Sequence, residues 1–251
     1  MRRLSATAAA ALMAVLTGTS HAAFVVTYEA PGVTNTTAGF SYVGVETFNG
    51  RGTGVQTFST DFGTTGQSTV ITGQYNHVQL NTVDQYGGDD GSNYAVAFGN
   101  TPYDVTLSAT SGGNAVPVTY FGYWLSALDA GNRVKFYRGG AEVFSFDPTQ
   151  VLALTGNCPA GPYCGNPEAS HLGQNKNEPY VFLNFYDQSG LGFDKISFFE
   201  SPAVGGYESD NHTVGFYTRI TGEVVPVPEP SSFALLGLAL AGLAATRRRA
   251  A

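Results

Sequence analysis

PVTYFGYWLSAL, residues Pro117 to Leu128, is apolar along nearly its whole length. Side chains of an extended chain alternate between faces, so Tyr120 and Trp124 share one face while Phe121, Tyr123 and Leu125 share the other. Because both faces are apolar, Val116 to Leu128 reads as a central strand, covered above and below. Directly after it comes a hairpin signal: Arg133 to Arg138 (RVKFYR), Gly139-Gly140, then Ala141 to Phe146 (AEVFSF). Two glycines between alternating runs fit a two-residue I′ or II′ turn, which needs positive φ at its central positions. Asp147-Pro148 then offers an N-cap and an N1 proline for one short helix, Pro148 to Leu154.

Further strand signals lie on both sides of this centre. Upstream they cover Phe24 to Tyr28, Phe40 to Phe48, Ser68 to Leu80, Asn93 to Phe98 and Asp104 to Ala109. Downstream they cover Tyr180 to Tyr186, Leu191 to Phe199 and His212 to Ile220. About eleven strands at this spacing predict an all-β domain, a two-sheet antiparallel β-sandwich or jelly roll. No internal repeat supports a propeller. Thirty-two glycines, 14 tyrosines and 17 phenylalanines suit such an exported β-protein and argue against disorder. From Thr155 to Pro179 periodicity stops, and this long loop holds both cysteines, Cys158 and Cys164, whose simplest reading in an exported chain is a disulfide. Only His171 lies near them, too few ligands for zinc.

The two ends read as addresses. Met1-Arg2-Arg3 is a basic start, Leu4 to Leu16 an apolar core, and Ser20-His21-Ala22 has small residues where signal peptidase needs them, so cleavage is expected after Ala22. At the other end Val225 to Ala251 reads VPVPEPSSFALLGLALAGLAATRRRAA. Its prolines favour an extended, accessible spacer. A short apolar helix is expected at about residues 231–246, and Arg247, Arg248 and Arg249 end it as a basic stop on the cytoplasmic side. The expected organisation is a signal peptide at 1–22, a β ectodomain at 23–224 and a tail at 225–251. The full chain has 12 Lys and Arg against 19 Asp and Glu, net −7. Losing Arg2, Arg3, Arg247, Arg248, Arg249 and Glu229 would leave 7 against 18, net −11. So acidic a surface repels nucleic acid and anionic lipid, and suits neutral glycans or divalent cations.

The tail resembles the PEP-CTERM sorting signal: Pro228, Glu229 and Pro230 match its motif residue for residue, followed by a hydrophobic helix and an Arg-rich end. The body is similar to a group of exosortase-dependent surface proteins at FGYWLSALDAGN (Phe121 to Asn132), EPYVFLNFYDQSG (Glu178 to Gly190) and GGYESDNHTVGFY (Gly205 to Tyr217). The resemblance implies export by a Gram-negative bacterium and cleavage by an exosortase. It also implies transient residence in the inner membrane, then release to the cell surface or extracellular matrix. It carries no catalytic motif.

Candidate chemistry is sparse. His77, His171 and His212 stand in no metal or catalytic motif, and there is no G-x-S-x-G elbow. Asp187 or Asp194 with Glu200 could form a glycosidase pair, but acidic loops supply carboxylates without such a role. Asp84, Asp89, Asp90 and Asn93, and separately Glu208, Asp210 and Asn211, gather oxygen donors that suit a structural calcium ion. Asp89, Asp90, Glu208 and Asp210 are the ligands this reading selects, and turn formation by Asp and Asn is its rival. Trp124 is assigned to the core, leaving Tyr28, Tyr42, Tyr75, Tyr86 and Tyr163 as candidates to stack on sugars. The expected function is a structural or adhesive role without catalysis. The alternative is an extracellular polysaccharide-binding module.

Overall fold

The computed structural model describes residues 24–227, except Asp90, Asn100, Asn157 and Val204. They form one compact unit, Phe24–Val227. The leader through Ala22, the motif Pro228, Glu229 and Pro230, the expected span at about 231–246 and the arginines 247 to 249 lie outside the described residues.

Nearly all regular structure is strand. The first half of the unit contributes β1 (Phe24–Tyr28), β2 (Gly39–Glu46), β3 (Gly54–Thr60), β4 (Thr69–Asn81), β5 (Tyr94–Phe98), β6 (Tyr103–Ser111) and β7 (Asn114–Ala115). The second contributes β8 (Tyr120–Ser126), β9 (Asn132–Arg138), β10 (Ala141–Phe146), helix α1 (Thr149–Thr155), β11 (Val181–Asp187), β12 (Lys195–Glu200), β13 (Gly206–Arg219) and β14 (Glu223–Val224). All pairings are antiparallel, and the strands join into one large curled sheet in the order β10-β9-β12-β6-β4-β5-β13-β8-β11-β1-β14. β2 adds to β13, β3 to β4 and β7 to β6.

β5 is the hinge of the curl. One edge pairs with the end of β4, Gln79↔Val96 to Asn81↔Tyr94, and the other with the start of β13, Gly206↔Phe98 to Ser209↔Ala95. The strands before and after it therefore fold back on one another. Phe24 of β1 stacks on Phe144 of β10 at 4.5 Å between centroids, and Tyr123 of β8 meets Phe198 of β12 edge-on at 5.3 Å. Aromatic pairs in such geometries contribute beyond the area they bury.

The central strand is placed as its two apolar faces require. β8 is buried throughout, between β11 and β13. Phe121, Tyr123 and Leu125 enter the main core, whereas Trp124 packs with Ala127, Tyr180 and Phe182 in a smaller cluster on the opposite face. Tyr120, on that second face, donates to Asn184 Oδ1 at 2.7 Å, and Asn184 in turn donates to Thr27 and Glu29. The hairpin also forms as expected, with Gly139 and Gly140 at φ 56° and 82° between β9 and β10. α1 begins at Thr149, one residue later than the proline signal suggests, and the Asp147 carboxylate accepts the Thr149 N–H at 2.9 Å.

Three short or polar strands escape the periodicity: β3, β7 and β14. β13 also starts six residues earlier than expected, at Gly206, because Glu208 to His212 is buried in the sheet and does not form a surface turn. An αL residue, Asn211 at φ 50°, makes the bulge that lets this polar run pair with β8. Val225, where the tail was expected to begin, is 1% exposed and donates its N–H to Val26 at 2.9 Å.

Candidate functional site

Where the sheet turns over at β5, a cleft of about 460 Å³ opens. Its chemistry comes from four segments: Asp84 from the loop after β4, Asp129 from the β8–β9 turn, Glu178 from the end of the long loop, and Glu208 from β13. Exposed Tyr86 and Phe98 stand at its rim, at 43% and 40% of their surface. No lysine, arginine or histidine lines it among the described residues.

Backbone pairing brings these acids together. Leu128 N–H donates to Pro179 O at 3.0 Å, which sets Asp129 beside Glu178. The long loop is laced to the loop after β4 by Tyr180 Oη–H to Gln85 O at 2.5 Å and by Asn166 Nδ2 to the carbonyls of Asp84 and Gln85, both at 3.3 Å. Asp84 Oδ1 accepts the Tyr94 hydroxyl at 3.0 Å and the Tyr86 N–H at 2.8 Å. Glycines at the floor let the carboxylates come close: a Cβ on Gly205 would stand 2.6 Å from Asp129 Oδ2, and one on Gly206 would push the Glu208 carboxylate aside.

Electrostatically the cleft is uncompensated. Glu208 is 8% exposed, and burial, reinforced by Asp129, Glu178 and Glu200, holds its carboxyl well above the usual range. Among the described residues none donates a hydrogen bond to it beyond its own backbone amide. Glu200 lies just behind, with Asp129 and Glu200 oxygens on either side of Gly205. Both Glu200 oxygens are buried without a hydrogen-bond partner, although the amides of Gly99 and Gly205 are near, and burial plus Asp129 push it up to about 6. Burial also raises Asp129 and Glu178. Arg133 draws Asp129 back, but its guanidinium is engaged by Asp147 at 3.0 Å.

The calcium ligands expected from sequence do not form one group. Asp89 and Asp210 do meet, with their oxygens already occupied: Asp210 Oδ2 accepts from Asp89 N–H at 2.9 Å and Ser92 Oγ–H at 2.6 Å, and Asp89 Oδ2 accepts from Asn211 Nδ2 at 2.7 Å. They fasten the loop after β4 to β13, as the turn-forming alternative holds. Glu208 has the cleft acids as its electrostatic neighbours, whereas Asp210 has Asp89, and Asp90 is outside the described residues.

Asp187 and Asp194 accept backbone amides, from Gly192 at 2.6 Å and Gly139 at 2.7 Å, and so act as turn holders; only Glu200 of that trio approaches the cleft. Tyr75, offered as a sugar stacker, is 0% exposed because it stacks on Phe58 and bonds His212 in the core. Tyr28, Tyr42 and Tyr163 are half-buried. Sequence reading missed Asp129 and Glu178, since no spacing connects them. Their only signal is position, just after one central strand and just before its neighbour.

A larger groove of about 660 Å³ crosses the outer faces of β3, β4 and β6, but its side chains satisfy one another, Ser59 with Gln74 at 2.6 Å and Thr72 with Ser108 at 2.7 Å. Cys158 and Cys164 form the expected disulfide. Among the described residues no helix is long and apolar enough to cross a membrane.

No curated protein and no solved structure matches the chain. Residues 226–249 match the PEP-CTERM protein-sorting motif, so the chain carries the signal for exosortase-dependent export toward the cell surface.

Proposed function

We propose that the exported domain serves a structural or adhesive role at the cell surface or in the extracellular matrix and catalyses no reaction. On this reading signal peptidase removes residues 1–22, the apolar tail holds the protein in the inner membrane, and exosortase cuts near Pro228-Glu229-Pro230. The stacked halves of the curled sheet support its description as a β-sandwich or jelly-roll module. The observation that carries the surface role is the sorting motif at residues 226–249; the carboxylates of the cleft are the groups a glycosidase would use, so hydrolysis is decided by the assay below. Of the described Ser-His contacts, Ser209 with His212 is 0% exposed within the core, and Ser170 with His171 at 2.9 Å joins sequence neighbours on the long loop, away from the cleft lining.

A second reading is polysaccharide binding, favoured by Tyr86 and Phe98 exposed beside carboxylates that can accept sugar hydroxyls. The test is retention of the mature protein on polysaccharide prepared from the producing cells, with release of new reducing ends assayed in parallel. No retention and no release supports the structural role. Retention weakened in Tyr86→Ala supports the glycan reading, and release of reducing ends overturns the non-catalytic proposal.

A further inference from the structure

We propose that the last stretch of the body, residues 223–227, is a processing latch: paired with β1 it withholds the sorting motif from exosortase, which cuts from the state in which the stretch has left β1. An overlap between address and fold carries this inference. The sorting-motif match begins at residue 226, yet the folded unit runs through Val227. Thr27↔Val224 and Tyr28↔Glu223 pair at the edge of the sheet, Val225 N–H donates to Val26 O at 2.9 Å, and Val225 is 1% exposed. Val227 packs against the main core, and Pro228 follows it directly. No free spacer separates the last packed residue from the motif.

A segment is taken up for cutting as an extended strand, and its susceptibility follows the burial and hydrogen bonding of the backbone around the bond. A cut near Pro228-Glu229-Pro230 draws on the residues before it, and β1 holds those. Upstream the chain is pinned. Thr27 Oγ1–H donates to Thr221 O at 2.6 Å, and Gly222, at φ 83°, lies so close to β1 that a Cβ on it would stand 2.7 Å from the Tyr28 carbonyl oxygen. Opening therefore stops at Gly222 and frees residues 223–227 without disturbing β13. Little holds them: Glu223, Val224 and Pro226 are exposed, and Val225 is the one fully buried residue of the stretch. So short an edge opens at the low end of local unfolding energies. When opening and closing are fast relative to cleavage, the rate of cutting follows the open fraction. The β1–β14 edge thereby sets how long the folded body stays attached to its tail. The inference rests on the reading that exosortase cuts near the motif.

The test is a pulse–chase of the full chain in the producing cells, following loss of the tail-bearing form. Inserting Gly-Ser-Gly-Ser between Val227 and Pro228 leaves the body intact and moves the motif off the latch, whereas Val225→Ala loosens the latch itself. Val225→Ala should speed loss of the tail about tenfold, and the insertion at least as much. Gly113→Val, which forces a β-branched residue to φ 81° in the β6–β7 turn, should leave the rate unchanged. Equal rates in the wild type, the insertion and Val225→Ala would overturn the latch and leave the sorting reading standing. A Gly113→Val acceleration as large as that of Val225→Ala would also overturn it, because cutting would then follow global unfolding. A tail retained in every chain would sink the sorting reading together with the latch. Should Val225→Ala be degraded, the insertion decides.

Discussion

His212 shows how a single side chain acts in this core. Its ring lies within 5.1 to 5.4 Å of Phe48, Phe121 and Phe198, measured between centroids, and its nitrogens meet Tyr75 Oη at 2.9 Å and Ser209 Oγ at 3.0 Å. Ser209 in turn meets Tyr103 Oη at 2.9 Å, so a polar chain runs through an aromatic interior with its partners satisfied. His212→Leu would strand the buried Tyr75 hydroxyl and should lower stability by about 1–3 kcal/mol in urea denaturation. Burial drives the imidazole down to about 3, while the unfolded chain takes a proton near 6.5. Between those values the unfolded state binds the extra proton, so this group makes stability fall as pH falls. Glu200, pushed up to about 6, and Asp210, up to about 7, act in the opposite sense. Their folded-state protons contribute stability at low pH that is lost as pH rises through those values. Summed over these three groups, stability rises up to about pH 3.8, is level to about 4.5 and falls above it, so without divalent ions the urea midpoint should peak at about pH 4. Glu200→Gln should flatten the alkaline limb, and an unchanged limb would refute this assignment. The sequence placed His212 at the start of a strand and Glu208 to Asn211 just before it; only tertiary burial draws that polar run into the strand and His212 into the core.

Individual elements were read best where local chemistry decides them. Gly139-Gly140 specifies the β9–β10 turn without help from the rest of the fold, and alternation places β1 and the two faces of β8. Gly140→Val forces a β-branched residue to φ 82° and should cost about 1–2 kcal/mol, read as a lower urea midpoint; an unchanged midpoint would mean the turn relaxes freely. The Cys158–Cys164 bridge closes a small ring, so Cys158→Ser with Cys164→Ser should cost about 2 kcal/mol, checked by the same denaturation. β3 was missed because Gly52 precedes and Gly54 opens a polar strand whose side chains alternate only between half-buried and exposed. Helix α1 starts one residue later than read, with Pro148 at its N-cap and Asp147 just outside, where its carboxylate accepts the Thr149 N–H at 2.9 Å.

For the whole molecule, the all-β character and the disulfide followed from composition and spacing, whereas the cleft did not. Its acids are drawn from positions 84, 129, 178 and 208, and only the return of the sheet at β5 unites them. The tail was legible for the opposite reason: proline spacer, apolar run and arginines act as a linear address, independent of folding, and residues 226–249 match that motif. The central claim is that this body travels to the surface and loses both addresses. Intact mass of the protein recovered from the native cell surface and medium tests it most directly. The account predicts a mass lacking Met1 to Ala22 and the residues beyond the Pro228-Glu229-Pro230 region. A mass that still includes Phe233 to Ala251 would contradict it and make the tail a plain membrane anchor.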